Sequence, residues 1–385
     1  MSQPSTALSA AQIFDGEALH RDHAVLLRDG TIVDVVPRAD LPGGIPLTDL
    51  GAGILAPGFV DLQVNGGDGI MLNDAPTLAG LRRIAQAHAR LGATSILPTL
   101  ISDTPAQTRT TIDAVAQAIA ADVPGIAGLH LEGPHFALSR KGAHDPALIR
   151  AMTDDDLALL LDAAKRLPLL KLTFAPEAVT IAQIRALSAA GVLLSIGHSD
   201  ATFAQCSAAI EAGVTCVTHL FNAQSQLASR EPGVVGAALA HGGVSAGLIA
   251  DGIHVHPATM KTALQAKTRP GRMFLVSDAM APAGSDIDHF DLNGRLIERR
   301  NGRLTLEDGT LAGADLDMAT AVRVMVADVG LPLVEALQMA TSVPAGVARL
   351  GGGAGRITAG GVADMVHLDA DGALAAVWQR GSQLG

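Results

Sequence analysis

Apolar residues recur through the middle of the chain in short unbroken runs rather than in strict alternation. Eight of these runs are candidate strands: Gly58–Val64, Thr94–Thr99, Ile126–Glu132, Leu169–Phe174, Val192–His198, Val214–His219, Ala246–Ala250 and Met273–Asp278. A strand buried on both faces reads as a continuous apolar run, the signature of a parallel sheet covered by helices. Stretches with helical spacing, such as Leu78–Leu91 and Thr202–Ala212, separate the runs. Eight βα units in series predict an α/β fold closed as a (β/α)8 TIM barrel. A doubly wound open sheet is the rival arrangement, but it gives no reason to stop at eight.

The two ends of the chain follow a different pattern. Ala24–Arg28 and Thr31–Val36 flank Asp29-Gly30, and Ala363–Asp369 and Ala373–Gln379 flank Asp371-Gly372. Both read as β-hairpins with tight turns. Two independent surface hairpins would expose apolar edges, so both ends are assigned to one small β domain. The expected division is residues 1–56 for its first part, 57–350 for the barrel and 351–385 for its second part. A β insertion is expected near 285–312, where Asp291-Leu-Asn-Gly-Arg and Arg299-Arg-Asn-Gly-Arg read as turns, followed by a helix over Ala314–Val329.

Composition narrows the partners. The chain has 385 residues, 48% of them hydrophobic and only 2% aromatic, with no Tyr, so the core relies on aliphatic packing. A net charge of −11 without a basic run, and the scarcity of aromatic rings, disfavour nucleic acid and anionic membranes. Pro232–Ala250 lacks formal charge over a length that raises a membrane question, but its glycines divide it into helix, turn and strand. Two cysteines, Cys206 and Cys216, are too few for a disulfide framework and fit the cytoplasm. No secretory signal is visible at the N-terminus.

Four polar residues, Glu132, His198, His219 and Asp278, each end one of the apolar runs. In a barrel these are C-terminal strand tips, where the fold places its chemistry. A lone histidine there is usually a hydrogen-bonded loop residue. Two imidazoles and a carboxylate on strands three, five and six are different, because closure brings them around one cavity. That donor set suits Zn2+ or Fe2+, and three protein ligands leave a position open for catalysis. His20, His23, His289 and His367 fall in the terminal or inserted segments and His88 on a surface-like helix. Gly197-His-Ser-Asp-Ala201 lacks the last glycine of a serine-nucleophile elbow.

Six segments then point in one direction: His130-Leu-Glu-Gly-Pro134, Gly197-His-Ser-Asp-Ala-Thr202, Thr218-His-Leu-Phe-Asn-Ala223, Arg230-Glu-Pro-Gly233, Ala250-Asp-Gly-Ile-His254 and Ser277-Asp-Ala-Met-Ala-Pro-Ala-Gly284. In this order, and from Ala56-Pro-Gly-Phe-Val-Asp61 onward, the chain resembles the N-acetylglucosamine-6-phosphate deacetylases of the amidohydrolase superfamily. Each segment alone is a weak signal; the ordered series is specific.

The resemblance implies hydrolysis of the N-acetyl group of N-acetylglucosamine 6-phosphate, by a metal-activated water with Asp278 as general acid/base. It implies Glu132, His198 and His219 as metal ligands and Asn222, Ala223, Arg230 and His254 at the sugar phosphate. Ala143 and His144 would line the acetamido end, and Leu311, Ala312 and Gly313 would close over the substrate. A homodimer is implied, with Arg230 reaching the partner's site. Many superfamily members bind a second metal through His-x-His on strand one; here Gln63-Val-Asn65 stands instead. Lys171 lies within strand four, so no lysine is placed at its tip to bridge two metals. One divalent ion per chain is expected. The alternatives are the same reaction on N-acetylgalactosamine 6-phosphate, and a catalytically silent barrel that binds without turnover.

Overall fold

The computed structural model describes residues 5–385. Eight parallel strands form one sheet in sequence order: β1 (Phe59–Val64), β2 (Ala93–Ile101), β3 (Leu129–Glu132), β4 (Leu170–Phe174), β5 (Leu193–Ile196), β6 (Cys216–Val217), β7 (Ser245–Leu248) and β8 (Met273–Leu275). The sheet curls until Val64 bridges Ala279 just beyond β8, closing it as a (β/α)8 barrel. Each strand is followed by a helix: α1 (Leu78–Arg90), α2 (Pro105–Ala120), α3 (Asp154–Arg166), α4 (Ile181–Ala189), α5 (Phe203–Glu211), α6 (Gly233–Ala240), α7 (Pro257–Ala266) and α8 (Met318–Ala327). Thr77, Thr104, Thr153, Thr180 and Thr202 cap the N-termini of the first five by accepting backbone N–H bonds. The recurrence is physical: a short strand-to-helix loop must satisfy the orphan N–H groups of the helix it opens.

Helix and strand assignments agree with the apolar pattern, with two informative departures. The strands expected to run through His198, His219 and Asp278 stop at Ile196, Val217 and Leu275. At each of these three residues the backbone turns left-handed, with φ of 48°, 27° and 52°. Such a turn removes the residue from the ladder and costs on the order of 1–3 kcal/mol in a non-glycine residue. The helix expected from Ala314 starts at Met318, because Leu311–Ala314 is the last strand of the inserted sheet. That sheet is antiparallel, ordered His289–Leu292, Arg295–Arg300, Arg303–Thr305 and Leu311–Ala314.

Strand Met365–Leu368, from the C-terminal hairpin, pairs antiparallel with Ile54–Pro57, which also pairs with Gln12–Phe14. The two ends of the chain therefore share one six-stranded sheet. A four-stranded sheet built on the hairpin His23–Arg28 and Thr31–Pro37 packs beside it, and Leu8, Ile13, Val25, Leu27, Leu55, Met365 and Trp378 fill the space between. Pro232–Ala250 divides into α6, a turn and β7. Among the described residues no helix is long and apolar enough to cross a membrane. His88 is not on the surface: it is buried and its Nε2 bonds the Gly66 carbonyl at 2.8 Å, so burial holds it neutral, with a pKa of about 4.

Candidate active site

The C-terminal mouth of the barrel holds a cavity of about 460 Å³. Glu132, at the end of β3, meets His198 beyond β5 and His219 beyond β6. The His198 and His219 Nε2 atoms lie 3.1 Å apart, and they lie 3.3 and 3.0 Å from Glu132 Oε1. All three residues are buried, and they form a cluster suited to holding a metal ion.

The donor chemistry fits a cation at the centre of this triangle. His198 Nδ1–H donates to the Arg140 carbonyl at 2.8 Å, so Nε2 presents its lone pair to the cavity. Two imidazole nitrogens 3.1 Å apart repel unless a proton or a metal sits between them. Ligands about 2.0–2.1 Å from a tetrahedral ion lie roughly 3.3–3.4 Å from one another, close to the spacing here. Around the triangle, Phe136 stacks on His198 with ring centroids 4.4 Å apart and the Ala137 N–H bonds the His198 carbonyl at 2.9 Å. Gly197 is required because a Cβ there would lie 2.6 Å from Thr173 Cγ2.

Burial opposes charge on Glu132, but bonds from both imidazoles outweigh it and hold the carboxyl well below its ordinary range. Burial likewise works to lower His219, and its bond to Glu132 reverses the sign.

Asp278 is buried next to this cluster, and burial followed by the charge on Glu132 raises its pKa. Two amides hold one of its oxygens: Gln63 Nε2 and Asn65 Nδ2 donate to Oδ1 at 2.9 and 2.7 Å. Gln63 Nε2 also donates to Glu132 Oε1 at 3.1 Å. One amide group thus fixes the spacing between the metal-binding carboxylate and the candidate base. Neither amide hydrogen-bonds to Oδ2 of Asp278. Sequence reasoning treated Gln63 and Asn65 only as the lack of a second metal site; their position on β1 opposite two carboxylates was the available signal.

Burial and then the neighbouring His198 lower the His144 pKa to about 3, so the ring is neutral. The Ser102 backbone N–H donates to its Nδ1 at 3.3 Å, which places the ring proton on Nε2. His254 Nδ1 is paired with Asp251 at 2.6 Å. The inserted sheet is pinned to the base: the Ala314 N–H donates to the Asp278 carbonyl at 2.9 Å. Gly313, at φ 63°, passes so close that a Cβ would lie 2.7 Å from that carbonyl and 2.5 Å from Met280. From the same sheet, Arg295 bonds the Ala143 carbonyl on the loop after β3.

Of the residues expected from sequence, Glu132, Ala143, His144, His198, His219, Asn222, Ala223, His254, Asp278, Leu311 and Gly313 line one cavity. Ala312 is buried behind it and Arg230 is exposed outside it.

Residues 54–383 match the model of the amidohydrolase family, and residues 6–55 match that of the NagA composite domain. The chain belongs to the amidohydrolase family. It is a hydrolase, and the family implies a divalent metal at the buried Glu132–His198–His219 cluster. A Shewanella protein named N-acetylgalactosamine-6-phosphate deacetylase is 44% identical, the match covering 87% of this chain and 84% of that protein. N-acetylglucosamine-6-phosphate deacetylase of Haemophilus influenzae is 33% identical, with 90% of each covered. A Mycobacterium smegmatis N-acetyl-D-glucosamine-6-phosphate deacetylase, solved as a mutant in complex with N-acetyl-D-glucosamine-6-phosphate, superposes with a TM-score of 0.90 at 32% identity, over 99% of each chain.

The amide clamp leads to a prediction. Gln63→Leu keeps the side-chain bulk but removes the donor shared by Glu132 and Asp278. Steady-state assays should show kcat reduced about 10- to 100-fold, the usual effect of losing a supporting partner, with KM little changed. Unaltered kcat would remove Gln63 from the site's working parts.

Proposed function

We propose that this amidohydrolase removes the N-acetyl group of N-acetyl-D-glucosamine 6-phosphate, giving D-glucosamine 6-phosphate and acetate. The observation that carries the reading is the pairing, in one buried cavity, of a three-ligand cluster with a carboxylate held by two amides through a single oxygen. The M. smegmatis relative, with that phosphosugar bound, supports the substrate class.

Glu132, His198 and His219 hold one divalent ion, for which we propose zinc, with ferrous iron the alternative. When bound, the ion supplies Lewis acidity, polarising the amide carbonyl and making a water molecule acidic. Asp278 accepts the proton from the attacking water at Oδ2 while Gln63 and Asn65 keep Oδ1 in place. It then delivers that proton to the departing amine, which leaves as a neutral group. His144 donates its Nε2 proton as a hydrogen bond to the oxygen on which negative charge develops. Because the ring is neutral, it stabilises that charge without giving up a proton.

Asn222, Ala223 and His254 take the sugar phosphate, and Leu311 and Gly313 cover the sugar from the inserted sheet. Arg230 is exposed on the loop before α6 and outside its own cavity. We propose that the chain works as a homodimer in the cytoplasm, with Arg230 supplying the phosphate site of the partner subunit. The reducing compartment suits two buried, unpaired cysteines.

The first test measures acetate released from the 6-phosphates of N-acetylglucosamine and N-acetylgalactosamine, before and after chelation. The account expects faster release from the gluco epimer, abolished by chelator and restored by Zn2+ or Fe2+. The Shewanella relative is the reason for the second epimer. Faster turnover of the galacto epimer would reassign the substrate, and no acetate from either would leave a silent binding barrel.

The second test mixes Arg230→Ala chains with Asp278→Asn chains. Each homodimer is impaired, whereas a mixed dimer joins an intact Asp278 to a partner's intact Arg230 and regains up to one working site. Mixed dimers that form without regaining activity would assign Arg230 to its own subunit.

A further inference from the structure

Among the described residues Lys171 is the one lysine buried almost completely inside the barrel, at 1% exposure. It is the second residue of β4, two residues before the interior-facing Thr173. Its side chain crosses the barrel, and Nζ donates to the Leu62 carbonyl of β1, a long bond of 3.4 Å. It forms no ion pair within 4.0 Å among the described residues. An ammonium deprived of water with one weak partner is costly to bury, so something else must hold it there.

Three carboxylates share its surroundings: Asp61, Glu132 and Asp278 are all at least nine-tenths buried. Asp61 lies beside Leu62 on β1 and accepts the Gln63 and Ser277 N–H groups at 3.1 and 3.2 Å. Burial, with a contribution from the charge on Asp278, pushes Asp61 up to about 7, and burial lowers Lys171, while Cys216, Glu132, Asp61 and Asp278 act to hold the lysine charged. With all three carboxylates ionised, a divalent ion and one ammonium leave the interior neutral. Without the ammonium, one negative charge is left uncompensated among the buried groups of the barrel interior.

We propose that Lys171 is a positioning residue for the reaction: its ammonium, fixed across the barrel to β1, is the internal countercharge that lets Asp61, Glu132 and Asp278 share the barrel interior with a single divalent ion. It does not line the substrate cavity. The inference rests on the metal-site part of the proposed function. Its main readout is metal affinity, which needs no substrate and so separates its failure from a wrong assignment of the reaction.

The test compares wild type, Lys171→Met, Asp61→Asn and the double variant, each stripped of metal and titrated with Zn2+ against a competing chelator. Methionine preserves volume and unbranched shape, and asparagine still accepts the N–H bonds of Ser277 and Gln63. Loss of one positive charge from a low-dielectric interior should tighten Zn2+ binding by Lys171→Met about tenfold. Removing the Asp61 charge as well should return the affinity to within about threefold of wild type. Turnover should follow: kcat reduced about tenfold in Lys171→Met with KM little changed, and largely recovered in the double variant.

A residue that only fills space gives the opposite pattern, with Zn2+ binding weakened or unchanged and no recovery on adding Asp61→Asn. Either result overturns the proposal. If Lys171→Met alone does not fold, the charge-balanced double variant should fold. Failure of both makes Lys171 a packing residue and ends the inference.

Discussion

The site depends on how the last strand is closed against the first. The segment just beyond β8 is joined to β1 and the residues after it by a bridge between Val64 and Ala279, the Asn65 N–H to the Ala279 carbonyl at 2.8 Å, the Asp278 N–H to the Gln63 carbonyl at 3.1 Å, and the Ser277 N–H to the Asp61 carboxylate. That narrow seam sets where Asp278 stands relative to Glu132 on β3, because the same Gln63 reaches both carboxylates with its side chain. Gln63 thus takes part in both the backbone closure and the positioning of the two carboxylates. A barrel closed in another register would move the base away from the ligand cluster, since side chains alternate faces at every step along a strand.

Left-handed backbone recurs around the barrel mouth. His198, His219 and Asp278 leave their strands in the left-handed region, and the following loop residues Phe221 and Ala223 share it, with φ of 79° and 50°. These turns tip the functional side chains from the strand direction toward the centre of the mouth. They are maintained because the neighbouring groups overdetermine them: Arg140 and Ala137 on His198, the Gly247 carbonyl on the Leu220 N–H, Ala314 on Asp278. The inserted sheet takes part in the same arrangement. It bonds Asp278 through Ala314 and the loop after β3 through Arg295, so the roof and the floor of the cavity are mechanically continuous.

The fold was legible because buried parallel strands write themselves as apolar runs, and four of the eight runs ended in a polar residue that lines the cavity. The ligand cluster was legible for the same reason: Glu132, His198 and His219 are polar residues terminating largely apolar runs. What hydrophobicity could not reveal was conformation and hydrogen bonding. The strand ends were placed two or three residues late because a left-handed φ leaves no mark in an apolar pattern. Gln63 and Asn65 read as an absent metal site because an amide on an inward strand position says nothing of which carboxylate it meets. His88 read as a surface residue because the Gly66 carbonyl that receives its Nε2 lies on a loop remote in sequence. Asp61 and Lys171 were invisible as a pair, since their shared interior exists only once the barrel is closed.

The central claim is that one metal ion is held by Glu132, His198 and His219, beside a carboxylate kept metal-free by the amides of β1. Anomalous diffraction from crystals of the chain saturated with zinc, collected on both sides of the zinc absorption edge, tests it directly. The account predicts one strong peak in the barrel mouth, about 2.0–2.2 Å from Glu132 Oε1 and the Nε2 atoms of His198 and His219. A second peak between Gln63, Asn65 and Asp278, or a single peak centred there, would contradict it.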